Sequence, residues 1–107
     1  MRKMKTLFEE KERVWFWVTD EWKKDFYNEL VEFGAMFNNG NPITLDSLGD
    51  IIGVWRDGKV GLVSYFVWDM SFGVTTLDVP RVDYGKYRRG MEDYMILTSN
   101  VRLVIPE

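Results

Sequence analysis

The stretch Val14-Trp15-Phe16-Trp17-Val18-Thr19-Asp20-Glu21-Trp22, continuing as KKDFYNELVEFGAMF to Phe37, decides the fold. Its first five residues are β-branched or aromatic without a break, which reads as a strand. Both faces of that strand are apolar, so both need a cover. Thr19 or Asp20 is placed to cap a helix, and Glu21 suits the positive end of a helix dipole. From there Trp22, Phe26, Leu30, Phe33 and Phe37 recur at i, i+4, i+8, i+11 and i+15, within about 80° of one another at helical pitch. A single amphipathic helix over 20–37 is expected, stopped by Asn38-Asn39-Gly40-Asn41-Pro42.

Working outward, residues 43–50 read as a connector with one helical turn capped by Thr44. Ile51 to Arg56 and Lys59 to Met70 flank Asp57-Gly58, and an Asp-Gly pair between β-prone runs is a strong hairpin signal. The second arm alternates through Val60, Leu62, Ser64, Phe66 and Trp68, apolar on both faces, and reads as a central strand over 59–70. Ser71-Phe72-Gly73 makes a turn, Val74 to Val79 a third strand, and 81–93 a polar, tyrosine-rich stretch with weak helical character. Tyr94 to Thr98 and Val101 to Ile105 read as a closing hairpin. The fold class is α+β, with one main helix packed on a twisted, mostly antiparallel sheet of about five or six strands. All 107 residues read as a single globular domain.

Composition bounds the chemistry. The chain is 46% hydrophobic, with 5 Trp, 5 Tyr and 7 Phe, enough apolar surface to offset the entropy of folding. There is no cysteine, so disulfides, zinc–thiolate sites and thiol catalysis are excluded, and no histidine, the usual general base and metal ligand. Asp46 and Asp50 match no calcium loop, since its glycine and its terminal Glu are missing. Asp57, Asp69 and Asp78 suit turns and strand ends. Ser47, Ser64, Ser71 and Ser99 lack a nucleophile-elbow context, and the glycines form no phosphate-binding loop. No catalytic residue, metal or cofactor is assigned, and the chain is expected not to be an enzyme.

Charge and topology narrow the partners. Lys plus Arg is 14 and Asp plus Glu 17, a net charge of −3. That balance argues against a dedicated duplex-DNA binder, which needs a basic footprint. The longest mostly apolar run, Val60 to Trp68, has about nine residues against the ~20 of a membrane helix. The basic start Met1 to Lys5 meets Glu9-Glu10 after three residues and does not form a signal peptide. A cytoplasmic protein without membrane contact is expected.

Two surface features are candidate binding sites. Glu21, Asp25, Glu29 and Glu32 fall within about 80° on the helical wheel, an acidic stripe that Lys23 and Lys24 do not interrupt. Four like charges on one stripe repel mildly, which gives a basic partner something to relieve. The rival is basic and aromatic: Arg81, Tyr84, Lys86, Tyr87, Arg88 and Arg89, where rings interleave with cations able to pair phosphates or carboxylates. For each feature an ordinary solvated face or packed loop is the alternative. Trp15 and Trp17 share one strand face and call for a cover, either from this chain or from a second copy in a homodimer.

No motif names a family. The chain has the general look of small proteins that lack catalytic residues and act by covering a surface of something larger. Inhibitors encoded by phages or mobile elements against host defence nucleases (anti-CRISPR-like proteins) are one such kind, and immunity proteins that neutralise a cognate toxin are another. This likeness rests on composition and on no particular residue. It implies a stoichiometric inhibitor whose acidic stripe blocks a basic surface of a larger protein. The alternatives are an immunity protein and a small nucleic-acid-binding accessory module.

Overall fold

The computed structural model describes residues 2–73 and 79–97. Among the described residues five strands form one sheet: β1 (Arg13–Trp17), β2 (Met36–Phe37), β3 (Ile51–Trp55), β4 (Lys59–Leu62) and β5 (Arg81–Asp83), in the spatial order β2-β4-β3-β1-β5. The centre is antiparallel, with Phe16 opposite Ile52 and Val54 opposite Val60. The outer pairs, β2 with β4 and β1 with β5, are parallel, so the sheet is mixed. Helices α1 (Lys23–Glu32), α2 (Tyr65–Ser71) and α3 (Tyr84–Arg88) pack around it, and the α+β expectation holds.

β1 is interior in both senses: paired along both edges and covered on both faces, as its unbroken apolar run requires. On one face Val14 and Phe16 join Phe26 and Leu30 of α1, Tyr84 and Tyr87 of α3, and Met4 and Phe8 of the N-terminal 3-10 turns. Phe16, Phe26 and Tyr84 meet edge to face, with centroids 4.8 to 5.9 Å apart. On the other face Trp15 packs with Trp68 of α2, Ile51, Val79 and Ile96, with Trp17 and Phe72 alongside. The cover that the tryptophan pair calls for thus comes from this chain's own α2.

Two sequence expectations shift. The helix expected over 20–37 is a 3-10 turn at Asp20–Trp22 followed by α1, which stops at Glu32. Gly34 lies at φ +72° in the left-handed region, its N–H bonds Val31 O, and the Ala35 N–H bonds Leu30 O. This is a complete Schellman closure, and it releases Met36 and Phe37 into β2 instead of a further helical turn. The strand expected over 59–70 ends at Leu62, because the Ser64 hydroxyl accepts a hydrogen bond from the Val67 N–H at 3.1 Å and caps α2. The Asp57-Gly58 hairpin is present, with Gly58 at φ +92° and the Asp57 carboxylate accepting from the Lys59 N–H. The turn expected after Thr44 is a 3-10 turn at Leu45–Ser47. The strand over 74–79 and the closing hairpin fall mostly outside the described residues. Within them, Tyr94 and Ile96 bond the outer edge of β5.

Candidate interaction surface

The acidic stripe and the basic-aromatic segment, read as separate surfaces, meet each other inside the protein. Glu29 is 4% exposed, and its carboxylate accepts from Arg88 at 2.6 Å and from the Met4 N–H at 3.1 Å. Arg88 also donates to the Tyr84 hydroxyl at 3.1 Å. Burial, reinforced by the neighbouring Glu29 carboxylate, pushes the Tyr84 phenol far above its ordinary range. One carboxylate therefore ties α1 to α3 and to the N-terminal segment. Neither Glu29 nor Arg88 is available to a partner, which corrects their assignment as contact residues. On the wheel Glu29 sits at the margin of the apolar stripe, next to Trp22 and Phe33, and that position is the signal for its burial.

The remaining stripe is thinner. Glu21 and Glu32 are exposed, Asp25 is half-buried, and Glu32 lies 3.6 Å from the Lys3 ammonium. The basic-aromatic segment is taken up by packing. Tyr84 and Tyr87 are buried, and the Tyr87 hydroxyl donates to Lys3 O at 3.2 Å. Arg81 donates to the Ser71 carbonyl and hydroxyl at 2.9 and 3.0 Å and stacks on the Phe72 ring, and burial lowers its pKa. Lys86 pairs with Asp93 at 3.0 Å, leaving Arg89 as the exposed cation of the set. The segment is a docking seam for α3 and α2.

The surface missed in the sequence is the outward side of α2. Trp68, Ser71 and Phe72 turn inward, while Phe66 is 72% exposed and Met70 55%, with Tyr65, Val67 and the neighbouring Leu62 also open to solvent. These five are half of the large apolar side chains exposed among the described residues. Six of the seven residues of α2 are not charged and five are apolar or aromatic, yet one side of the helix has no cover from the described residues of this chain. Alternating apolar residues at 60–68 fit both helical and strand periods, which hid this face.

The N-terminal flank of α2 is acidic. The Tyr65 hydroxyl donates to Asp50, and Asp50 takes a 2.6 Å hydrogen bond from Lys23, whose ammonium also reaches Asp20 at 3.3 Å. The hydrogen bonds from Lys23 and Tyr65 hold the Asp50 carboxyl below its usual range, and the Asp50 hydrogen bond pushes the Tyr65 phenol up to about 12. One ammonium thus serves two carboxylates, with Glu21 exposed beside them, so this flank carries surplus negative charge.

Among the described residues no group of His, Cys, Asp or Glu is placed to hold a metal ion, and no helix is long and apolar enough to cross a membrane. Comparison with known proteins gave no matching family model, curated sequence or solved structure.

Proposed function

We propose that the protein is a non-enzymatic, stoichiometric inhibitor that covers a surface of a larger protein with the outward side of α2. The supporting observation is the cluster of exposed apolar side chains on the outward side of α2, with Phe66 and Met70 the most open of the helix. The partner that suits this face presents an apolar recess bordered by basic residues, to receive Phe66 while meeting Asp20, Glu21 and Asp50. The nucleic-acid groove of a cytoplasmic defence nuclease has that charge. The acidic stripe keeps a smaller role on this reading: Glu21 steers the approach, while the aromatic and aliphatic anchors carry affinity.

The test begins with a photo-crosslinking residue placed at position 66, and in separate variants at 32 and 89, in cells of the native host. The protein captured from position 66 is then purified and titrated. Binding that falls by about 2 kcal/mol or more for Phe66→Ser, and weakens as salt rises, supports the reading. Unchanged affinity in a Phe66→Ser, Met70→Ser double variant overturns it. Light scattering examines the homodimer directly. A mass that stays at 12.7 kDa on concentration leaves the face to another protein, whereas a doubled mass assigns the face to a second copy and overturns the inhibitor reading.

A further inference from the structure

On the α2 side of the sheet, beyond the area that α2 covers, lies a trough built on two glycines. Gly53 of β3 and Gly61 of β4 are direct cross-strand partners, so a strip of backbone there carries no side chain. Atoms of two indole rings reach over this strip. A Cβ at Gly53 would sit 3.2 Å from Trp15 and 3.4 Å from Trp55, and one at Gly61 would sit 3.2 Å from the Asn38 amide. The hollow beside them has a volume of about 360 Å³, with Trp55, Trp15 and Val67 as its apolar walls and Asn38, Ser64 and Arg13 as its polar ones. It meets a second hollow of about 530 Å³ at Asn38, Gly61 and Leu62, where Asn39 and Asn41 add neutral amides. Both hollows are open to solvent, with volumes in the range of ligand sites.

We propose that this trough binds a neutral oligosaccharide, with a sugar ring stacked on Trp55. The π face of an indole is electronegative and attracts the C–H face of a pyranose ring. Amides and hydroxyls both donate and accept, as adjacent sugar hydroxyls do, and the lining of the two hollows contains no carboxylate. A polyanion is a poor match. Arg13 is the one cation of the two hollows, and in the adjoining hollow past Trp55 it and Lys11 face Glu10 and Glu12. A peptide adding as a strand has no place here either, since β4 is already paired along both edges, with β2 and β3. This site borders the outward side of α2, sharing Val67 and Leu62 with it, and goes beyond the inhibitor reading because Trp55 and Asn38 lie outside that side.

Indole N–H resonances of the full chain, followed by NMR, test the proposal. The probes are maltotetraose, cellotetraose and the tetramer of N-acetylglucosamine, each to millimolar concentration. The expected result is that at least one tetrasaccharide moves the Trp55 and Trp15 resonances while Trp22 stays still. Trp55→Ala and Asn38→Ala are expected to weaken that binding about tenfold or more, with the remaining indole resonances reporting an intact fold. The proposal is overturned if no tetrasaccharide moves Trp55. It is equally overturned if oligothymidylate or a proline decamer moves the Trp55 and Trp15 resonances and the sugars do not, or if Phe66→Ser abolishes the sugar response while Trp55→Ala leaves it unchanged.

Discussion

At the scale of single residues, Glu29 and Arg88 decide more than any surface charge. Both are nearly enclosed, and a buried ion pair contributes little net stability while costing a great deal when one member is removed. Arg88→Met alone strands the Glu29 carboxylate, with a cost of about 3–5 kcal/mol. Glu29→Gln alone strands the guanidinium at a similar cost. The double variant is expected to recover much of the loss, because the glutamine oxygen still accepts from the Met4 N–H. Urea midpoints of the four proteins measure this, and strictly additive losses would refute the coupling. A second residue-level prediction concerns Tyr65 and Asp50. Tyr65 has a raised pKa in the fold, so its contribution to stability is complete below about 10, the ordinary tyrosine value, and is lost as pH rises through about 12. Asp50 is held low, so its contribution is present above the ordinary carboxylate range and is lost as pH falls through the depressed value. The clasp is therefore intact across neutral pH. Asp50→Asn is expected to return Tyr65 titration toward about 10, read as tyrosinate absorbance.

At the scale of elements, α2 rests on a cap and an anchor. Ser64→Ala removes the hydroxyl that accepts from the Val67 N–H, with an expected cost of about 1 kcal/mol. Trp68→Ala empties the packing beneath the helix and is expected to cost about 3–5 kcal/mol. Denaturant unfolding checks both, and a Trp68 variant as stable as the parent would mean that α2 does not pack where it is described. What the sequence revealed and what it concealed divide along the same line. The Asp57-Gly58 hairpin and most of α1 were legible because their signals are local: a turn pair, a helical stripe. Gly34 was passed over because the apolar spacing continues to Phe37, and a left-handed glycine closure leaves no mark in periodicity. Burial of Glu29 and Arg88 depends on α3 docking against α1, and beyond the place of Glu29 at the margin of the apolar stripe no local pattern of either helix announces that meeting. The parallel edge pairs are likewise set by partners distant in sequence.

At the scale of the whole molecule, the two sheet faces are treated differently. One carries α1, α3 and the N-terminal turns over a continuous core, and the other, among the described residues, is covered by α2 with Val79 and Ile96 and carries an aromatic trough beside them. Substitutions therefore separate by face. Phe26→Ala and Leu30→Ala, at fully enclosed positions, are expected to cost about 2–5 kcal/mol each. Phe66→Ser and Met70→Ser, on the open side of α2, are expected to leave the unfolding free energy from urea titration within about 0.5 kcal/mol of the parent while raising solubility. A large destabilisation by Phe66→Ser would show that this ring is covered in solution.

The interior position of β1 also has a temporal consequence. Val14 to Trp17 is made before both of its edge partners, Ile51–Trp55 and Arg81–Asp83, so during synthesis the most apolar of the described strands is finished well before its second edge can be closed. An unpaired apolar strand is a template for aggregation and a target for chaperones. With its sheet closed by distant pairings, the chain is expected to refold in the millisecond-to-second range typical of non-local topologies, and not at the microsecond pace of small helical bundles. On the ribosome the corresponding expectation is a late, abrupt gain of protection. Chains stalled at residue 73 remain cleavable around Trp15 and Trp17, and chains stalled with residue 97 clear of the exit tunnel do not.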